Sequence, residues 1–168
     1  MYSMEPYYPQ WLSYFNIFAQ FIIFPTIYRF GTNLQFKYAV ALYLVKDFVF
    51  DIEVLFAVHH FVAMYLLNLI QDNRSICDRH VGWIFTIAEL GSGSFNVMNT
   101  SVQHNHHIEF YIAMFMVIMT VSNVLPFTYM SLNGRCWTKY GIAPTVIGGG
   151  LLVVRQYQSI GIYRKSFE

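Results

Sequence analysis

His59 and His60 stand side by side in EVLFAVHHFVAMYLLNLI, residues 53–70, an otherwise apolar run. Imidazole can take a proton as a general base, contact a lipid headgroup or hydrogen-bond between helices. A bilayer crossing needs ~20 mostly apolar residues, and an ionisable pair inside one is costly unless it is partnered or used. Three acids lie just upstream: Asp47, Asp51 and Glu53. Glu53 precedes His60 by seven residues, and Asp47 and Asp51 are four apart, so each pair shares a face wherever a helix is continuous. Any of these acids could orient a histidine, and the same cluster also reads as a solvated turn. Neighbouring helical residues point ~100° apart. One imidazole is therefore expected to face a site while the other packs or hydrogen-bonds a neighbour.

Glu89 is the next candidate. It lies in GWIFTIAEL, where an ionised carboxylate at mid-membrane would cost ~2.5–3.5 kcal/mol. There it should be protonated or paired, with a histidine the obvious partner; an interfacial position near a helix end is the equal alternative. Glu89, Ser92, Asn96, Asn99 and Gln103 recur at spacings 3, 4, 3 and 4, which places them on one helix face. Trp83, Phe85, Ile87, Leu90 and Val97 form the other. Such a stripe is expected to face a bundle interior or a wet cavity.

Other polar groups carry weaker signals. His104, His106 and His107 form H-x-H-H, but the chain has six histidines and no H-x3-H box, so a solvated turn is expected and no metal or cofactor is implied. Arg155 suits a phosphate or a cation snorkelling to an interface. Cys77 and Cys136 fall in polar segments without the paired spacing of a zinc site or disulfide scaffold, and read as reduced thiols.

The elements that must position these groups follow from composition. Of 168 residues, 56% are hydrophobic, 19% aromatic and only 11% charged, against ~25% charged in soluble domains. Mean hydropathy is +0.41. The expected class is all-α, a polytopic membrane bundle of about six helices forming a single domain over 1–168. Net charge is +1 with no basic run, so nucleic acid is not an expected partner. MYSMEPYYPQ lacks a basic n-region and does not read as a cleavable signal.

The expected spans are 11–28, 36–50, 54–71, 81–103, 110–130 and 141–163. Pro25 should kink or end the first. Residues 36–70 are too long for one crossing, so a break is expected near Asp51, and the helix before it is short for a full span. The glycines at 148–150 should permit close helix approach. Arg29, Lys37, Arg74, Arg79, Arg135 and Lys139 fall on one side, and Lys46, Arg164 and Lys165 on the other. The positive-inside rule puts the first set in the cytoplasm.

The order of these motifs resembles the TLC-domain family. Tyr43-Leu44-Val45-Lys46-Asp47 precedes His59-His60, and Ala88-Glu89-Leu90-Gly91-Ser92-Gly93-Ser94-Phe95-Asn96 follows. The family pattern is an Asp-bearing helix, a His-His pair, then Ala-Glu-Leu-Ser-(Ser/Thr)-Pro-Phe-x-Asn. Glu89, Ser92 and Asn96 fall on its offsets, and the likeness is strongest over 36–160. Gly93 replaces the motif Pro, the Phe comes one place later, and Met98 stands where an Arg is usual. The acidic pair that ceramide synthases carry after their histidines is not evident. The resemblance thus implies the broader family, outside its ceramide-synthase branch.

It implies an endoplasmic-reticulum or other endomembrane protein acting in sphingolipid or phospholipid homeostasis. The lipid partner would occupy a cavity lined by Glu89, Ser92, Asn96 and Asn99, with His59, His60 and Asp47 as candidate catalytic groups. One alternative is a lipid N-acyltransferase using acyl-CoA as co-substrate and a histidine base. A second is a translocon- or cargo-associated factor. No particular protein partner is implied.

Overall fold

A computed structural model describes residues 9–48, 54–132, 136, 140 and 142–165. Its regular elements are all helical: α1 Gln10–Phe18, a π-helical segment Ala19–Ile23, α2 Phe24–Phe30, α3 Asn33–Asp47, α4 Val54–Leu67, α5 Ile76–His104, α6 Ile108–Leu132 and α7 Ile142–Lys165. The described residues thus form an all-α fold.

The first rod runs unbroken from Gln10 to Phe30, so Pro25 does not end it. Proline lacks an N–H and crowds the carbonyl four residues back. Here the helix loosens into the π segment just before Pro25, which then stands in the first turn of α2, where a missing donor costs least. Thr32 starts α3 with a capping box, its hydroxyl accepting from Gln35 N while Gln35 Oε1 accepts from Thr32 N. The break expected near Asp51, and Asp51 and Glu53 themselves, lie outside the described residues. Ser75 caps α5 five residues before the expected start, by accepting from Asp78 N. At its other end Asn105 and His107 adopt positive φ, 49° and 45°, turning the chain into α6.

α5 is the axis. Its 29 residues span ~44 Å, and it packs against every helix before it and against α6, while α7 packs on α6 and α4. One apolar cluster joins Phe24, Phe36, Leu44, Leu67 and Phe85. A second joins Phe95, Met98, Ile112, Phe115 and Met119. Two glycines let α5 approach its neighbours. A Cβ on Gly91 would lie 2.9 Å from Ser122 Cβ of α6, and one on Gly93 would meet the Phe21 ring at 2.5 Å. In α7, Gly148 and Gly149 face Met130 and Phe127, whereas Gly150 meets nothing within 4 Å.

The cysteine reading is corrected: Cys77 and Cys136 form a disulfide with a Cα–Cα distance of 5.1 Å. Their sequence surroundings gave no pairing signal because the fold, not their spacing, joins the start of α5 to the segment after α6. Asp78, next to Cys77, is fully buried. It accepts from the backbone N–H groups of Gln71 and Asp72 at 2.6 and 2.7 Å and from the Tyr140 hydroxyl.

Polarity is distributed inside-out. Ser13, Asn16, Gln20, Glu89, Asn96, Asn99 and Arg155 are buried, while Trp11, Phe18, Leu42, Phe61, Val117, Val121, Phe127 and Tyr157 are exposed. Among the described residues, Ile108–Leu132 is the one helix long and apolar enough to cross a membrane by length and composition; Ala57–Leu67 is a shorter apolar stretch. The polar stripe of α5 dilutes its hydropathy, and the π segment divides the first rod.

Candidate functional site

Two cavities flank α5. The first opens between the π segment, α3, α4, α5, α6 and α7, with about 720 Å³ of space including its mouth. His59, His60, Asp47, Glu89, Ser92 and Asn96 all line it. Asn99 does not. Its amide donates to Ser13 Oγ at 2.6 Å, which ties α5 to α1 instead.

Asp47 ends α3, where an anion opposes the helix macrodipole. Lys46 and His60 offset that cost: Lys46 pairs with Asp47 Oδ1, and His60 Nε2 lies 3.1 Å from Asp47 Oδ2. Lys46 also sits over the Tyr43 ring, 3.9 Å from its centroid. The Phe48 ring packs edge-on to His60 at 5.8 Å. In a neutral imidazole, donation of Nε2–H to Asp47 would leave Nδ1 as the proton-accepting nitrogen. His59 makes a ring contact with His60 at 5.5 Å and has no hydrogen-bond partner among the described residues. It lines both cavities.

Glu89 pairs with neither histidine. Its Oε2 accepts from Gln20 Nε2 at 2.8 Å, Gln20 Oε1 accepts from Asn96 Nδ2 at 2.9 Å, and Asn16 Nδ2 donates to Asn96 Oδ1 at 3.3 Å. This chain of amides holds the carboxylate between the first rod and α5. Ser13, Asn16 and Gln20 recur at spacings 3 and 4, the same signal that marked α5, but their polarity is hidden among aromatic residues.

Arg155 of α7 does not snorkel. It is 6% exposed. Its Nη2 donates to Ala88 O at 2.7 Å and Ser92 Oγ at 3.1 Å, and lies 3.5 Å from Met119 Sδ. These contacts with α5 hold it inward, on the wall of both cavities.

The second cavity, about 590 Å³ with its mouth, is mostly apolar. Ala63, Leu66, Ile84, Phe85, Leu151 and Leu152 line it, and it shares His59, Glu89 and Arg155 with the first. A chamber of mixed polarity and a nearly apolar one therefore meet at three ionisable side chains. Among the described residues, no group of three or more His, Cys, Asp or Glu is placed to hold a metal. His104 to His107 are exposed, and His104 Nε2 contacts Gln10 Nε2 at 2.8 Å and Tyr14 OH at 3.0 Å.

No family model, curated protein or solved structure matches the chain.

Proposed function

We propose that the chain is a multi-pass membrane protein of TLC type whose six helical rods cross an endomembrane and enclose a lipid, in the service of sphingolipid or phospholipid homeostasis. The observation that carries this reading is the junction of a cavity bearing many polar side chains with a nearly apolar one at His59, Glu89 and Arg155. An amphiphile needs both surroundings at once: hydrogen-bonding groups for its head and a dry wall for its chain. The inside-out burial supports the membrane part, because helices in lipid turn polar groups inward and apolar ones outward. The order of the Asp47, His59-His60 and Glu89-to-Asn96 motifs supports the TLC part. The test is mass spectrometry of the full chain purified from membranes in mild detergent. A stoichiometric co-purifying lipid is expected, and a stable, delipidated chain with no affinity for any added lipid would refute the proposal.

The His60–Asp47 contact favours a second reading, lipid N-acyl transfer with acyl-CoA as co-substrate. His60, oriented by Asp47, would accept the proton of an attacking amine as nitrogen bonds to the acyl carbon and the thiolate departs. Expression should then change the cell's N-acylated lipids, and His60→Ala should abolish the change while the protein remains folded. Unchanged lipids on wild-type expression would exclude transfer and leave lipid binding standing.

A further inference from the structure

We infer that the lipid held by these cavities is single-chained with an anionic head, a carboxylate or a phosphate monoester, and that Arg155 selects it. This rests on the lipid-binding proposal and deepens it. Lys46 and Asp47 neutralise one another. Arg155 has no such partner: among the described residues the ion pairs are Lys46–Asp47 and His60–Asp47, and neither involves the guanidinium. The remaining acid of the lining, Glu89, acts on the guanidinium electrostatically but from beyond the 4 Å ion-pair limit, and its carboxyl is engaged by Gln20.

A guanidinium has five N–H donors in a planar fork. Its Nη2 makes every hydrogen bond Arg155 has with described residues. Nη1 and Nε have no hydrogen-bond acceptor there, yet neither is a sealed, unsatisfied atom. They therefore keep some accessible surface, on a side chain that lines both cavities. Buried cations are ordinarily paired. A bidentate oxyanion, carboxylate or phosphate, matches the geometry of a guanidinium edge. The His59 imidazole stands at the same junction with no described hydrogen-bond partner and can donate one bond to that oxyanion. From this point one chain can follow Ala63, Leu66, Phe85 and Leu152 into the apolar cavity.

The test uses the full chain in mild detergent at pH 8, with three probes of equal chain length: hexadecanoate, hexadecyl phosphate and hexadecanol. At least one anion should bind about tenfold to a hundredfold more tightly than the alcohol, the range for a charge-assisted hydrogen bond. The better anion identifies the head as carboxylate or phosphate. Arg155→Gln should bring the ratio close to one, and Arg155→Lys should restore part of the preference. Equal wild-type affinity for all three probes would overturn the inference while leaving lipid binding intact. Binding of none would overturn both. The wild-type ratio decides the matter even where a variant fails to fold.

Discussion

Gly91→Ala probes how closely α5 and α6 must approach. The added Cβ would lie 2.9 Å from Ser122 Cβ and 3.1 Å from Met119 Sδ, and would overlap Ser122 Oγ. Turning Ser122 about χ1 removes only the Oγ overlap, since its Cβ is fixed to the backbone. Carbon atoms settle at ~3.5–4.0 Å, so α6 must retreat by at least roughly 0.6 Å at this contact. Overpacking of this kind costs ~1–3 kcal/mol, against which alanine recovers up to ~1 kcal/mol of helix propensity over glycine. With three atoms crowded at once the cost falls in the upper part of that range, ~2–3 kcal/mol, which leaves a net loss of ~1–2 kcal/mol. Ser122→Gly removes the obstructing atoms, so the double variant should be more stable than the sum of the single effects by ~1–2 kcal/mol. The assay is unfolding of all four proteins in one detergent, together with hexadecanoate binding. Binding should weaken in Gly91→Ala and recover in the double variant, because α6 carries Met119, the sulfur neighbour of Arg155. A Gly91→Ala protein as stable as wild type, or a strictly additive cycle, would refute the reasoning.

Three further outcomes are expected. Cys77→Ser should lower stability by ~2–4 kcal/mol, because the bridge closes a separation of 59 residues and the helices inside it temper the full chain-entropy value; Cys136→Ser should match it, and the double variant should add little in thermal unfolding. Burial, reinforced by the hydrogen bond to Asp78, pushes the Tyr140 hydroxyl well above its ordinary range. Its stabilising contribution is therefore complete below the unfolded-state value of ~10 and declines as pH rises beyond it; pH-dependent unfolding should show this decline in wild type and lose it in Tyr140→Phe. Glu89→Ala should cost ~1–3 kcal/mol by leaving the buried Gln20 amide without its acceptor, whereas Glu89→Gln should cost less; equal losses in chemical unfolding would show that the acceptor does not matter.

The fold was largely legible because apolar runs and polar breaks set helix positions. Expected spans at 110–130 and 141–163 correspond to α6 at 108–132 and α7 at 142–165. The helix starts moved where capping chemistry overrode hydropathy: Thr32 and Ser75 begin α3 and α5 earlier than the apolar residues alone would. The polar face of α5 was legible from its spacing, but its partners were not. Glu89 found an amide from the first rod instead of a histidine, and Asn99 found Ser13. Partner choice is set by how helices 69 or 86 residues apart come together, and periodicity within one helix carries no such information. The two roles open to Arg155 could not be separated for the same reason. Whether a cation snorkels or turns inward depends on the neighbouring carbonyl and hydroxyl, here Ala88 and Ser92.

The Cys77–Cys136 bridge bears on sidedness. In a six-crossing arrangement the segments after α4 and α6 share one side, and the bridge joins them there. Stable disulfides belong to oxidising compartments and are rare where glutathione keeps thiols reduced. The basic residues vote for the opposite orientation, six against three. A charge bias is a preference during insertion, whereas a persistent covalent bond is a condition on the compartment that holds it. If the chain crosses an endomembrane six times as proposed, the bond would turn the Asp78–Tyr140 end toward the lumen and the exposed histidine turn at 104–107 toward the cytosol. In sealed vesicles a membrane-impermeant reductant should free the two thiols only when applied from the lumenal side.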